Sequence, residues 1–501
     1  MKQSKRIFIS AFLIISLALS LAGCTEEEIP ARLINAQGVE GQTITESAAQ
    51  AAPPPETAAA VETTGAPPET TEVPEASTEP QTTTTPQTTT TPVTTTATLK
   101  TTTAATPQTT ATPRTTTAPP TTTPPRTTTA PPVNHTPLNH SEVRGVWISF
   151  IELSPLFAGR TEESFRKNFS EVMENCKSIG INTVYVHLRS HGDAYYKSDL
   201  FPWARAITGT LGQDPGFDPL EIMIEEARKR NISFHGWLNP LRLFTDADMN
   251  NVSSDYPIGK WRGGNRNGTY VVKSGGNWFL NPAYSDVRKL IADGAAEIVR
   301  NYNVDGIHID DYFYPPDVAA SFDRAVFSAS SHTDLTAFRL ENCNRMVKAM
   351  HDAVKSEDRR ALFGISPQAN IDNCYKLYAD VRLWAGTAGY CDYIAPQIYF
   401  GFENASWPFD MCLGRWEELV KDSNVELLIG LAIYKIGKED NWAGASGRYE
   451  WINSENIIKR QLDLSRQATN YGGYILFSYR FMFGSENTAQ INAELKAAGI
   501  K

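Results

Sequence analysis

Residues 304–315 read VDGIHIDDYFYP, and this stretch decides the fold. Val304–Ile309 is a short, mostly apolar run with branched side chains, which is typical of a parallel strand covered on both faces. Asp310 and Asp311 follow at once, so carboxylates stand at the carboxyl end of the strand. An amphipathic run over Asp334–Val354 comes next and predicts a helix. The stretch therefore begins a strand–helix unit with polar groups where the strand ends.

The same unit recurs to either side of this stretch, in eight copies from residue 143 onward. The strand-like runs are Val143–Phe150, Asn182–Arg189, Ser233–Leu241, Val304–Ile309, Ala361–Ser366, Tyr393–Tyr399, Glu426–Tyr434 and Gly473–Tyr479. The helix-like runs are Thr161–Ile179, Pro219–Arg230, Ser285–Tyr302, Asp334–Val354, Asn373–Thr387, Pro408–Lys421, Ser454–Thr469 and Thr488–Ala498. Eight units over roughly 360 residues predict an α/β fold, a (β/α)8 TIM barrel. A doubly wound open sheet is the alternative, and the absence of a Gly-rich turn after the first strand weakens it.

The aromatic residues divide the chain into two unlike parts. Only Phe8 and Phe12 precede Trp147, and all ten Trp lie from Trp147 onward. Residues 81–130 contain 28 Thr and 8 Pro. Such a segment cannot bury enough apolar area to offset the entropy of ordering it. We expect a disordered linker over residues 24–140, Glu-rich and then Thr/Pro-rich, that acts as a stalk for a barrel over residues 141–501.

The first 24 residues resemble a lipoprotein signal. Lys2, Lys5 and Arg6 precede an apolar run that is short for a transmembrane helix and ends in Leu21-Ala22-Gly23-Cys24. That ending resembles the bacterial lipobox, in which the Cys becomes the lipidated first residue. We expect residues 1–23 to be a signal peptide and Cys24 to carry a lipid. The protein would then be extracytoplasmic and anchored to the bacterial cell membrane.

Charge and cysteine content exclude several kinds of partner. The net charge is −10 and no Lys/Arg run occurs, so nucleic acid is not an expected partner. Five Cys remain after Cys24, and they lack the spacing of metal ligands. We interpret most of them as buried thiols and expect no metal and no cofactor.

Polar and aromatic residues cluster at the predicted strand ends, which meet on the face where TIM barrels place their active sites. Carboxylates can transfer protons, amides can bind hydroxyl groups, and aromatic rings can stack on sugars, so this set is typical of a sugar site. The candidates for substrate binding are Trp147, His187, Arg189, Trp237, Asn239, His308, Tyr312, Gln397, Tyr399 and Arg480. Buried core histidines are the alternative reading of His187 and His235.

Five motifs resemble the glycosyl-hydrolase-like family 10 barrel, over residues 142–485. They are EVRGVW at 142–147, HGDAYY at 191–196, WLNP at 237–240, VDGIHIDDYFYP at 304–315 and IAPQIY at 394–399. The resemblance implies a secreted or lipid-anchored bacterial protein. It also implies a cell-wall glycan as the substrate, notably peptidoglycan strands stripped of their peptides.

Asp310 is the first candidate for the catalytic residue and Asp311 the second, because strand four of related glycosidase barrels ends in an Asp that faces the sugar. A chitinase-like pattern needs Glu two residues after Asp310, and Tyr312 stands there. Asp193 and Glu403 are the candidates for a second carboxyl group. An acetamido group of the substrate could instead act as the nucleophile, so that one protein acid suffices.

Several roles stay open at this point. Asp193 could instead pair with Arg189, and Glu403 could simply be solvated. Arg480 could bind an anionic group or pair with a barrel Asp. The insertion over residues 244–284 reads as a long loop over the cleft or as a packing flap. The predicted function is hydrolysis of a cell-wall polysaccharide, with a non-catalytic glycan-binding lipoprotein and a hydrolase of an environmental polysaccharide as alternatives.

Overall fold

The computed structural model describes residues 136–421 and 423–500. The predicted signal peptide, the lipidation site Cys24 and the linker up to residue 135 lie outside the described residues. Among the described residues, no helix combines the length and the apolar character that crossing a membrane requires.

Eight parallel strands close into a barrel, which confirms the predicted (β/α)8 fold. A separate three-stranded antiparallel sheet is formed by β4, β5 and β6. The strands are β1 (Val143–Ile148), β2 (Thr183–Arg189), β3 (Ser233–Leu238), β4 (Arg242–Thr245), β5 (Val271–Ser274), β6 (Asn277–Leu280), β7 (Gly306–Ile309), β8 (Leu362–Ile365), β9 (Tyr393–Ile394), β10 (Glu426–Ala432) and β11 (Tyr471–Phe477). Around the barrel their order is β1-β11-β10-β9-β8-β7-β3-β2, so β7 is the fourth barrel strand in chain order.

Helices surround the barrel where the amphipathic runs predict them. The α-helices are Phe150–Leu153, Glu162–Ser178, Arg205–Thr208, Pro219–Arg228, Asp246–Met249, Pro257–Gly263, Ser285–Asn301, Arg324–Ser328, Leu335–Glu357, Ile371–Lys376, Val381–Gly386, Phe409–Val420, Gly444–Gly447, Glu450–Asn453, Ile457–Ser465, Tyr479–Phe483 and Ala489–Ala497. Short 3₁₀ turns lie at Ser154–Phe157, Ala320–Phe322 and Ile433–Lys435. The Thr161 side chain caps the second helix by accepting a hydrogen bond from the Ser164 amide.

One predicted helix is divided in two. The run over Asn373–Thr387 forms the helices Ile371–Lys376 and Val381–Gly386. Tyr378 between them has a left-handed φ of 58°, and Asp380 caps the second helix. A left-handed residue interrupts the helical hydrogen bonds, which explains the difference.

The insertion after β3 is a folded unit and not a loop. Its β4–β6 sheet packs with short helices, and Trp278 is 7% exposed. The indole nitrogen of Trp278 donates to Asp246 at 2.7 Å. The buried Trp278 ring and its hydrogen bond to Asp246 hold the insertion together. The expectation of a long loop over residues 244–284 is therefore corrected.

Two apolar layers hold the barrel together. The outer layer lies between the strands and the helices. It includes the five cysteines of the described residues, which are buried free thiols as expected: Cys176, Cys343, Cys374, Cys391 and Cys412. The inner layer fills the barrel and includes Trp147, Tyr185, Trp237 and Tyr393. Histidines lie among these inner aromatic rings, so the interior near the site is partly polar.

Candidate active site

A small cleft opens at the carboxyl ends of the barrel strands. Its lining comes from β1, β3, β7, β8, β9 and β11 or the residues that follow them. The lining residues are Trp147, Trp237, Asp310, Asp311, Tyr312, Ser366, Gln397, Tyr399 and Phe477. Seven of these nine are sequence-predicted site residues, so the structure brings them together.

Asp310 lies directly after β7 and is 3% exposed. Its Oδ2 atom accepts a hydrogen bond from Trp237 Nε1 at 3.0 Å, and its Oδ1 atom accepts one from the Tyr312 amide at 3.1 Å. Burial, and then the neighbouring Asp311 carboxylate, raise the pKa of Asp310 well above its usual range, against the effect of the two hydrogen bonds. Asp310 therefore holds a proton at a pH where an exposed Asp has lost it.

Asp311 has a different set of partners. Its Oδ1 atom accepts from Gln397 Nε2 and its Oδ2 atom from Gln368 Nε2, both at 3.1 Å. Gln397 Nε2 also donates to the Ser366 carbonyl oxygen at 2.9 Å, which fixes the orientation of this amide. Burial raises the pKa of Asp311, and the hydrogen bonds from the two glutamines oppose that rise. The two amides favour the ionised form of Asp311, so the adjacent carboxyl groups differ in chemical character.

His308 lies on β7, two residues before Asp310, and is fully buried. Trp147 Nε1 donates to His308 Nε2 at 3.1 Å, and an indole nitrogen can only donate. His308 must then carry its proton on Nδ1, which lies 3.0 Å from the Tyr393 hydroxyl oxygen. The Tyr393 hydroxyl can in turn donate to His235 Nδ1 at 3.2 Å. Burial lowers the pKa of His308 well below its usual range, and that of His235 to about 3.

His187 positions the indole of Trp237. The two rings stack with centroids 3.5 Å apart at 15°. The Phe150 amide donates to His187 Nδ1 at 3.3 Å, so Nε2 donates to Asn239 Oδ1 at 3.1 Å. Asn239 in turn donates to the Ser190 carbonyl oxygen at 3.2 Å. His187 and Asn239 therefore lie beneath the cleft and hold Trp237 against Asp310.

Arg189 does not reach the cleft, contrary to the prediction that it shares a face with His187. The register between β2 and β3 shifts between His187 and Arg189, which breaks the alternation of side chains. The guanidinium group lies 4.3 Å from the Phe201 ring centroid and against Gly294 of the outer helix. Arg189 is thus part of the packing between barrel and helix.

The two candidates for a second carboxyl group lie outside the cleft lining. Asp193 is 8% exposed and accepts a hydrogen bond from the His191 amide at 3.1 Å. Burial raises the pKa of Asp193 to about 6. Its expected salt bridge with Arg189 is absent from the described part of the chain. Glu403 is exposed, in a loop whose amides donate to Glu450 at 2.9 Å.

Arg480 pairs with Glu486 at 3.3 Å and not with a barrel Asp. Its amide donates to the buried Glu152 at 2.8 Å, which ties the end of β11 to β1. These contacts lie beside the cleft, and Arg480 is not among the residues that line it.

Two features at this end of the barrel escaped sequence reasoning. Arg242, the first residue of β4, is 8% exposed and lies 4.9 Å from the Tyr312 ring centroid. The available signal was that Arg242 lies three residues after Asn239 and directly follows the third predicted strand, Ser233–Leu241. The exposed aromatic residues Trp442 and Tyr449, 49% and 45% exposed, follow the seventh barrel strand on the same face.

Comparisons with known proteins agree with this geometry. The family described as Glycosyl hydrolase-like 10 matches residues 142–444. Glycosyl hydrolase YngK of Bacillus subtilis (strain 168) is 32% identical over 363 residues, which cover 68% of this chain and 68% of that protein. Glycosyl hydrolase DigH of Escherichia coli (strain K12) is 28% identical over 386 residues, which cover 69% of this chain and 85% of DigH.

Among solved structures, the glycoside hydrolase domain of PgaB (BpsB) from Bordetella bronchiseptica aligns with a TM-score of 0.46 and 13% identity. That alignment covers 71% of this chain and 98% of the other. The family match confirms the resemblance drawn from the five motifs, and it spans more than half of the sequence. The chain belongs to the glycosyl hydrolase-like 10 family and is a glycoside hydrolase with a polysaccharide substrate.

Proposed function

We propose that this glycoside hydrolase cuts a bacterial cell-wall polysaccharide, specifically the glycan strands of peptidoglycan, while a lipid on Cys24 holds it at the cell surface. The motifs at strand ends support the substrate, because they resemble a family whose better-understood members act on such strands. The basic and apolar start of the chain, ending in Leu-Ala-Gly-Cys, supports the anchor. The catalytic part of the proposal rests on a single observation, the paired carboxyl groups of Asp310 and Asp311 in the cleft.

Asp310 acts as the general acid in this proposal. Its raised pKa keeps it protonated at a pH where an exposed Asp has ionised, so it can give that proton to the glycosidic oxygen as the bond breaks. Trp237 and the Tyr312 amide hold the carboxyl group in place and stabilise the carboxylate that remains. Water then completes the reaction by returning a proton to Asp310.

Asp311 acts on the substrate as a carboxylate. Neither Asp193 nor Glu403 lines the cleft, so the described residues offer no third carboxyl group there. This favours the mechanism in which the acetamido oxygen of the sugar attacks the anomeric carbon. Asp311, oriented by Gln397 and Gln368, would accept a hydrogen bond from the acetamido nitrogen and stabilise the positive charge of the ring that forms. Hydrolysis by this route retains the anomeric configuration.

Digestion of purified peptidoglycan tests the proposal. The parent protein and the variants Asp310→Asn and Asp311→Asn are incubated with peptidoglycan that has or has not been treated with an amidase. Released reducing ends are counted, and the products are identified by mass spectrometry. We expect the parent to release saccharides, most rapidly from strands without peptides, and both variants to release at least ~100-fold less.

Asp193→Asn and Glu403→Gln are the matched controls, because each removes a carboxylate that lies outside the cleft lining. Both should release products at a rate within about threefold of the parent, as remote substitutions usually do. Full activity of Asp310→Asn, or loss of activity in Glu403→Gln, would contradict the catalytic assignment. Hydrolysis of other polysaccharides but not of peptidoglycan would refute the substrate. A Cys24→Ala variant that stays in the membrane fraction would refute the anchor.

A further inference from the structure

Arg242 has no role in the chemistry proposed above, although it is buried beside the two catalytic carboxyl groups. It follows the Asn239-Pro240-Leu241 turn that ends the third barrel strand. The pairing of β4 with β6 fixes its backbone, since Arg242 lies opposite Phe279 in the antiparallel register. The Leu280 amide donates to the Leu241 carbonyl oxygen at 2.8 Å and reinforces this position. The insertion therefore holds a cation on a fixed backbone next to Tyr312, a residue that lines the cleft.

The guanidinium group of Arg242 lacks the partners that a buried cation needs. Only 8% of the residue is exposed, and its Nη1 atom is buried without a hydrogen-bond partner in the described part of the chain. Asp310 and Asp311 sense its charge through space, as does Asp193, but none of these three described residues forms a salt bridge with it. An unpaired buried charge is costly, so an anion in the cleft would be bound strongly.

Arg339 shows how this chain satisfies an arginine that serves only the fold. It is 1% exposed and donates to both oxygens of Asp323, at 2.9 and 2.8 Å. It also donates to the carbonyl oxygens of Val318 and Ala319, at 3.1 and 2.8 Å. Arg189 also has buried nitrogen atoms without a hydrogen-bond partner among the described residues, but it lies against the outer helix with Glu297 nearby. Of these three described arginines, only Arg242 contacts a residue that lines the cleft, Tyr312.

The Tyr312 ring separates Arg242 from the cleft. The guanidinium carbon lies 4.9 Å from the centroid of this ring, and Tyr312 itself lines the cleft. Tyr312 is only half-buried, so rotation of its side chain can expose the cation to a bound sugar.

We propose that Arg242 is a specificity-determining residue that binds a carboxylate carried by the sugar in the cleft. This inference rests on the proposed function, because it names a substituent of the glycan that the same cleft cuts. A planar guanidinium group matches a carboxylate with two parallel hydrogen bonds and neutralises its charge. A neutral hydroxyl or amide can accept one hydrogen bond but leaves the charge of Arg242 unpaired. The enzyme should therefore discriminate between a sugar acid and its amide.

Two forms of one glycan test this inference. The first is the oligosaccharide mixture from amidase-treated peptidoglycan, which carries free carboxylates on its sugars. The second is the same mixture after carbodiimide coupling to ammonia, which converts the carboxylates to neutral amides. The ratio of kcat/KM for the acidic and the amidated form is measured in the parent, Arg242→Gln, Arg242→Lys and the control Arg262→Gln. Arg262 lies in the same insertion but packs on Trp278, which does not line the cleft, whereas Arg242 packs on Tyr312, which does.

The parent should prefer the acidic form by about 30-fold or more, as expected for one charged hydrogen-bonding pair. Arg242→Gln should reduce this ratio at least tenfold, Arg242→Lys should reduce it partly, and Arg262→Gln should leave it unchanged. Equal ratios in the parent and Arg242→Gln would overturn the inference, as would a parent that favours the amide. Circular dichroism checks that each variant is folded.

Binding separates failure of this inference from failure of the proposed function. Calorimetry with the Asp310→Asn variant measures the affinity for each glycan form without hydrolysis. If the parent cuts neither form but the acidic form binds tighter, and Arg242→Gln removes that difference, Arg242 still reads the carboxylate and only the hydrolytic proposal fails. If both forms bind equally well, the inference on Arg242 is wrong even when hydrolysis is observed.

Discussion

His308 lies on β7 and Asp310 directly after it, two residues further along the chain, and both are almost completely buried, yet they belong to different kinds of site. Both ring nitrogens of His308 have partners, Trp147 on one side and Tyr393 on the other. Asp310 has donors on both oxygens but also lines an open cleft. Burial and a shifted pKa are common to the two, so neither identifies a catalytic group. Access from the cleft is what separates Asp310 from the closed chain of rings below it.

The largest effect is expected from a substitution in the cleft that leaves the interior of the barrel unchanged. Asp310→Asn should lower kcat about 1,000-fold or more, because the general acid is lost while the Trp237 and Tyr312 hydrogen bonds can persist. The pKa of Asp310 is higher in the folded protein than in the unfolded chain, so ionisation of this group favours unfolding. The free energy of unfolding of the parent should therefore fall as the pH rises above about 4. The asparagine side chain of the variant cannot ionise, and urea unfolding at pH 7 should show equal or higher stability. Lower stability together with unchanged kcat would show that Asp310 stabilises the fold and does not take part in catalysis.

The second largest effect is expected from a substitution in the interior of the barrel. His308→Leu leaves the Trp147 N–H group and the Tyr393 hydroxyl without their partner, which should cost about 3 kcal/mol of the free energy of unfolding. The folded fraction should keep kcat within about tenfold of the parent, because His308 contacts lining residues such as Trp147 but does not itself line the cleft. Chemical denaturation and active-site titration of the folded fraction measure the two quantities. A large loss of kcat at unchanged stability would show that His308 takes part in the reaction.

A smaller effect tests the hydrogen bond that Trp237 donates to Asp310. Trp237→Phe keeps the ring but removes the donor to Asp310, and this donor favours the ionised form. The pKa of Asp310 should therefore rise, so the basic limb of the kcat/KM profile should move up by about one pH unit. Trp147→Phe is the control, because its indole donates to His308, so the limb should stay in place. Movement of the limb to lower pH in Trp237→Phe would contradict the assigned protonation.

The smallest expected effect lies at the rim. Trp442 is 49% exposed on the loop after the seventh barrel strand, where a long glycan can stack on it. Trp442→Ala should raise KM for long strands about threefold to tenfold, equivalent to about 1 kcal/mol of lost contact. Short oligosaccharides should show no change, since they do not reach the rim. Ile452→Ala, which removes another exposed apolar side chain from the same segment, should leave KM unchanged for both lengths.

Much of the fold could be predicted because its signals are local. Apolar runs with branched residues mark the strands, and amphipathic runs mark the helices. The exceptions have local causes that periodicity does not reveal. A left-handed Tyr378 divides one helix, and a register shift after His187 turns Arg189 away from the cleft. Both depend on how neighbouring elements pack, which a single sequence does not encode in its period.

The site was harder to predict than the fold. Asp310, Asp311 and Gln397 end their strands, so their convergence follows from the barrel alone. Glu403 follows the same predicted strand as Gln397, but its loop is held by hydrogen bonds to Glu450 and leaves Glu403 exposed. Arg242 belongs to an insertion whose path depends on a small separate sheet. Residues brought by such an insertion are found only when the tertiary structure is known.

The interior rings also constrain how this family can change over time. On β8, Gly364 lies beside Tyr393, and a Cβ atom at Gly364 would overlap the phenol ring. A methyl group at Gly306 would likewise meet the His235 ring. A larger residue in place of either glycine would require a smaller residue in place of the ring that it contacts. The two positions of each pair should therefore vary together. Among relatives, the position of Gly364 should stay glycine wherever the position of Tyr393 is aromatic, even where the substrate differs.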